Sequence, residues 1–143
     1  MTRFADGPGS SPGFLLWHVT LAWQRAVTAA LAPYELTHVQ FVLLACTWWL
    51  TEQSGPPTQV ETARQAGADV KMTSQVLRTL EDRQLLTRTV DPADSRARRV
   101  RPTEAGMRLA RRAVAAVEQV DADFFGPHAT AAVRLLHDLR AGS

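Results

Sequence analysis

The sequence predicts a mainly α fold with a small β component (α+β), and three observations lead to it. Apolar residues recur at helical spacing in six stretches separated by Pro, Gly and polar breaks. Two of these stretches, about Thr58–Ala66 and the one within Ala68–Arg88, are joined by a short turn at Gly67. Directly after them come two short β-compatible runs, Leu85–Val90 and Arg98–Arg101, around an Asp- and Pro-containing segment. Helix, turn, helix and hairpin in that order make a winged helix-turn-helix domain with a two-stranded wing, and further helices stand at both ends of the chain.

Residues 1–13 are rich in Gly, Pro and Ser and read as a flexible N-terminal arm. The first helix, about Phe14–Ala32, begins FLLWHVTLAW, which is apolar on nearly every side. A helix of that kind needs cover all round, and in a small chain a partner subunit supplies part of it. Thr37 caps a second, largely apolar helix, and Gln53–Pro57 breaks it. The third helix ends at Gly67, whose left-handed preference suits a helix stop. Asp69 caps the fourth, with Met72, Val76, Leu77 and Leu80 on one side. Asp91–Ala97 reads as the hairpin turn. Thr103 caps a fifth helix, about Glu104–Phe125, with coiled-coil-like apolar spacing interrupted at Asp121. At about 1.5 Å per residue it spans roughly 33 Å, too long for a small winged domain to cover. A last helix, about Ala129–Leu139, offers Val133, Leu135, Leu136 and Leu139 to a partner. The expected organisation is the arm at 1–13 and a single domain at 14–143. Within that domain, 14–36 and 103–143 supply dimerisation helices and 37–102 the winged lobe.

A length of 143 residues makes one domain the default, and 45% hydrophobic with 21% charged residues is ordinary for a folded chain. The net charge is only +2, yet the pI is about 9.3, and Lys71 is the sole lysine among 16 basic residues. Arginine forms planar paired bonds to phosphate and guanine, which suits nucleic-acid work. One cysteine, Cys46, excludes an intramolecular disulfide and reads as helix packing, with redox sensing as the minority alternative. The first residues lack the apolar core of a signal peptide, and the apolar runs are far short of a membrane span, so the expected compartment is the cytoplasm. The four His are scattered and no Cys/His pair has ligand spacing, so no metal or other cofactor is expected. No phosphate-loop, dinucleotide or nucleophile motif is present, which argues against an enzyme.

The fourth helix carries the candidate chemistry. Lys71, Ser74, Gln75 and Arg78 fall opposite its apolar side: one ammonium, one hydroxyl, one amide and one guanidinium. Such groups bond to phosphates and base edges in a DNA major groove, with Gln suited to adenine and Arg to guanine. A merely solvated helix face is the competing reading, and the arginine-loaded hairpin that follows (Arg96, Arg98, Arg99, Arg101) shifts the balance towards DNA.

From Gly13 to Phe125 the pattern resembles the MarR family of bacterial winged-helix transcription regulators. Its most specific part is DPADSRARRVRPTEAG, Asp91–Gly106, where Asp94, Arg96, Val100, Thr103 and Gly106 fit the family pattern and Pro102 replaces the usual Leu. LAPYELTHVQFVLL (Leu31–Leu44) and MTSQVLRTLEDRQLL (Met72–Leu86) add to it, with Gln84 where members often have Gly. The resemblance implies a homodimer built by the terminal helices, a recognition helix in the major groove of double-stranded DNA and a wing in the minor groove. Arg96 matches the wing arginine, and the negative potential of a narrow minor groove favours an inserted guanidinium. Asp94 matches the aspartate that orients it. The expected DNA contacts are therefore Lys71, Thr73, Ser74, Gln75, Arg78, Arg96, Arg98 and Arg99. Thr73 turns towards the core on the helical wheel, and Arg98, Arg99 and Arg101 alternate along a strand, so that not all can face DNA. The resemblance also implies a small effector between the dimer helices and the lobe. Trp17, His18, Trp48 and Trp49 are the candidate pocket, suited to an aromatic or phenolic anion, with core and dimer packing as the alternative for the same residues. The function expected is a homodimeric regulator, a repressor of pseudo-palindromic operators. The alternative is a winged-helix protein-interaction module without sequence-specific DNA binding.

Overall fold

The computed structural model describes Arg3 and Asp6–Ser143. Part of the arm expected at 1–13 lies outside the described residues. Within them, Gly7–Ser10 form a 3-10 turn, and helix α1 (Pro12–Leu31) already begins at Pro12, two residues before the expected start. Pro suits that position because the first helical N–H has no partner to lose.

The remaining elements are α2 (His38–Ser54), α3 (Gln59–Ala66), α4 (Val70–Asp82), β1 (Leu86–Asp91), β2 (Asp94–Pro102), α5 (Glu104–Phe125) and α6 (Ala129–Ala141). Helices α2 and α3 start in reciprocal capping boxes, Thr37 with Gln40 and Thr58 with Glu61. Gly67 closes α3 at φ 66°, with its N–H on Ala63 and Arg64, and Asp69 caps α4 by accepting from the Met72 N–H at 2.9 Å. The helix-turn-helix is thus specified by local chemistry at each of its ends. Leu77 and Leu80 are fully buried, as their spacing predicts, whereas Met72 and Val76 are only half-buried.

β1 and β2 pair antiparallel from Leu86↔Pro102 to Val90↔Arg98. The loop at the tip is Pro92–Ala93, much tighter than the turn expected over Asp91–Ala97. The register then jumps to Asp91↔Asp94, which leaves Ser95–Ala97 as an irregular bulge on β2. A third edge joins the hairpin: Val100 N–H donates to the Pro57 carbonyl at 2.7 Å, and Thr58 bridges to Arg99.

The chain divides into two compact units. One is Leu31–Ala116, which holds α2, α3, α4, the hairpin and the first part of α5. Its core is Leu31, Leu36, Phe41, Leu43, Leu44, Ala63, Leu77, Leu80, Leu85, Leu86, Val100, Ala110 and Ala113. At the base of the hairpin, Thr103 N–H donates to the Leu85 carbonyl and the Thr103 hydroxyl to the Gln84 carbonyl, while Gly106 N–H donates to that hydroxyl. Gly106 sits so close to the backbone just before β1 that a Cβ there would lie 1.8 Å from the Leu85 oxygen.

The other unit is Met1–Ala30 with Val117–Ser143. The sequence places the corresponding limits at 36 and 103, so the first half of α5 groups instead with the winged lobe. In this unit the Asp121 that breaks the apolar spacing of α5 accepts from the Trp23 indole at 2.9 Å. Apolar surface here is largely uncovered: Phe14, Leu15, Leu16, Trp17 and Val19 on α1, and Val133, Leu135, Leu136 and Leu139 on α6.

Candidate nucleic-acid interface

The polar face of α4 is built by the helical period. Lys71, Gln75 and Arg78 are exposed and follow one another at intervals of four and three residues. They form a stripe about 10 Å long, a length that a major groove accepts end-on or obliquely. Ser74 is half-buried beside them. Thr73 is corrected: it is 0% exposed and its hydroxyl, aimed into the core, has no hydrogen-bond partner, so its side chain does not reach DNA from this fold. The reason is its spacing, which puts it in line with the buried Leu77 and Leu80.

In the wing, Arg96 is exposed within the bulge. Asp94 accepts from the backbone N–H of Arg96 at 3.0 Å, so the carboxylate shapes the turn that carries the arginine. Arg98 and Arg101 are not buried. Arg99, whose side chain is 31% exposed, has structural partners. One of its Nη atoms donates to the Pro56 carbonyl and the other sits 3.2 Å from buried Asp91, whose carboxylate also accepts from Ala93 N–H. Alternation along β2 turns Arg98 outward and Arg99 inward.

Arg83 and Arg88, absent from the expected list, also have defined partners. Arg83 donates to the Glu35 carbonyl. Arg88, on β1, is held by Glu81 and Gln59. Opposite charges at positions 81 and 88 are the only sequence signal for that pairing, because a helix end and a strand start lie between them.

The four expected pocket residues fall in different units. Trp17 and His18 belong to the unit with α6; Trp17 is 62% exposed and His18 meets Phe14 edge-on at 4.6 Å between ring centres. Trp48 and Trp49 belong to the winged lobe, where Trp49 is 47% exposed and the Trp48 indole N–H is buried without a hydrogen-bond partner. Burial pushes the pKa of the Cys46 thiol up. Among the described residues no cluster of three or more His, Cys, Asp or Glu is placed to hold a metal ion. Among the same residues, no single helix is long and apolar enough to cross a membrane.

Residues 36–97 match the family model described as the MarR family. The chain is 41% identical over 120 residues to the uncharacterized HTH-type transcriptional regulator YdcH of Bacillus subtilis, covering 84% of this chain and 82% of that protein. A MarR-family protein of Mycobacterium tuberculosis, solved in complex with DNA, shares 30% identity at a TM-score of 0.68, over 91% of this chain and 98% of the other. CouR of Rhodococcus jostii, solved with p-coumaroyl-CoA bound, shares 27% identity at a TM-score of 0.78, over 94% and 92% of the two chains.

Proposed function

The chain belongs to the MarR family of DNA-binding transcriptional regulators, and on that premise we propose that it acts in the cytoplasm as a homodimeric repressor of pseudo-palindromic operators rather than as an enzyme. The observation that carries the proposal is the pairing, on one lobe, of the Lys71–Gln75–Arg78 stripe with exposed Arg96 in the wing bulge. Each protomer places the stripe in a major groove and Arg96 in the neighbouring minor groove, and a two-fold axis repeats the pair along the duplex. The uncovered apolar residues of α1 and α6 support the dimer, since a large apolar surface of that kind is rarely left to water.

An effector fits the same reading. CouR holds a phenolic acyl thioester, and we propose a small aromatic or phenolic ligand here too. Its recognition is supported by the Trp48 N–H, a buried donor that an anionic or carbonyl oxygen would satisfy.

Selection of bound sequences from a random duplex pool tests the proposal. Recovery of an inverted repeat is the expected result; no enrichment at moderate salt overturns it and favours the protein-interaction alternative, as would a stable monomer or an obligate heteromer on sizing. Arg96→Ala should weaken binding to every sequence and lower the salt slope by about 0.9 for each phosphate that it leaves without a cation. Gln75→Ala should relax preference at particular bases instead.

A further inference from the structure

The turn at Gly67 joins the C-terminal end of α3 to the N-terminal end of α4. Their far ends are joined by one side chain. Arg88 Nε and Nη2 both reach Glu81 Oε1, at 3.1 and 3.0 Å, in the last turn of α4. Its Nη1 donates to Gln59 Oε1 at 2.8 Å, on the first residue of α3. Its own backbone N–H donates to the second Glu81 oxygen at 3.1 Å. The side chain is only 15% exposed, unlike the open arginines at 78 and 96. The guanidinium spreads its donors over three nitrogens in a fixed plane, so that Glu81 and Gln59 are met at separate points, whereas an ammonium carries all its donors on one atom and lacks that reach and rigidity. Glu81 gains as well: a carboxylate at a helix C-terminus is disfavoured by the helix dipole unless a cation answers it.

A second tie lies beside the first. Arg99 holds the Pro56 carbonyl and Val100 N–H holds that of Pro57, so the four residues Pro56–Gln59 leading into α3 are fastened to the hairpin. The two helices and the wing thereby form a closed ring, with Gly67 at one corner and Arg88 at the opposite one.

We propose that Arg88 is a positioning residue for DNA recognition: it fixes the angle between α3 and α4 and the offset of the wing, and does not itself touch DNA. The proposal rests on the regulator reading above. Its consequence is that operator preference depends on a residue whose loss leaves general duplex affinity intact.

The test compares wild type with Arg88→Gln, Glu81→Gln, Gln59→Ala and Arg88→Lys, each on the selected operator and on an unrelated duplex of equal length. Arg88→Gln and Glu81→Gln should each lower operator affinity about tenfold, with the salt slope and the unrelated duplex nearly unchanged. Glu81→Gln is the sharpest arm, because removing a negative charge near a polyanion would by itself tighten binding. A variant that combines Arg88→Gln with Glu81→Gln should be no worse than either single one, as expected for two ends of one interaction. Arg88→Lys should fail to rescue, and Gln59→Ala, a milder change that removes only the second of the two Arg88 partners, should give a partial loss even if Arg88→Gln folds poorly. Equal loss on both duplexes, with the slope lowered by about 0.9 per phosphate, would make Arg88 a phosphate ligand and overturn the proposal. Tighter operator binding by Glu81→Gln would overturn it too. Should wild type show no sequence preference, the regulator reading fails on its own account. The ring is then judged by amide exchange: faster exchange of Val100 and the α3 amides in Arg88→Gln supports it, and unchanged exchange refutes it.

Discussion

Replacing Gly106 with Ala is the substitution whose cost follows most directly from the structure. The added Cβ would lie 1.8 Å from the Leu85 oxygen and 2.8 Å from its carbonyl carbon. Ordinary contact begins at 3.4 Å, so backbone must retreat by about 1.6 Å (3.4 less 1.8). Both sides resist. Leu85 and Leu86 are core residues, 7% and 1% exposed, and the Leu85 carbonyl accepts from Thr103 N–H at 3.1 Å. Thr103 is also tied to Gln84 and caps the Gly106 amide. Losing about two of these bonds costs ~2 kcal/mol, overpacking adds ~2, and the better helix propensity of Ala returns ~1, which leaves a net destabilisation of about 3 kcal/mol. Urea unfolding of both proteins at one fixed protomer concentration measures it, since assembly contributes to the stability of a dimer. A difference below about 0.5 kcal/mol would be no more than an ordinary surface substitution and would refute the close approach of α5 to the Leu85 backbone.

Other outcomes follow from individual side chains. Thr73→Val removes a buried, unpartnered hydroxyl and keeps the shape, so it should stabilise by about 1 kcal/mol and leave DNA affinity unchanged; a tenfold affinity loss in a filter-binding titration would restore Thr73 to the interface. Gln84 is left-handed at φ 60°, a conformation that Gly adopts without the Cβ strain a Gln carries, so Gln84→Gly should stabilise by up to about 1 kcal/mol and raise the unfolding midpoint; a lower midpoint would contradict that. Burial raises the Cys46 pKa, which means less thiolate at any given pH and slower alkylation than a cysteine peptide at neutral pH; equal or faster iodoacetamide labelling would reopen redox sensing.

Local signals carry most of the fold. Thr37, Thr58, Asp69 and Thr103 each mark a helix start by a bond confined to the next three residues, and Gly67 marks a stop by its own φ. The helical period likewise separates Lys71, Gln75 and Arg78 from Leu77 and Leu80, and it already turns Thr73 inward. Features that depend on distant segments are not legible in the same way. Nothing near Arg99 in the chain says that Pro56 and Asp91 will take its guanidinium, and nothing near Arg88 points to Gln59. The sequence suggests a long hairpin turn because Asp and Pro mark the segment Asp91–Ala97; Ser95–Ala97 belong instead to a bulge on β2, set by its register against β1.

The segment Pro56–Pro57 has one more effect. It lies along the outer edge of β2, where its carbonyls are taken by Arg99 and Val100. Two consecutive prolines have no N–H to offer, so nothing there can template a foreign strand. The Arg99–Val100 stretch of the hairpin's edge is in this way closed to pairing with the hairpin of a neighbouring molecule.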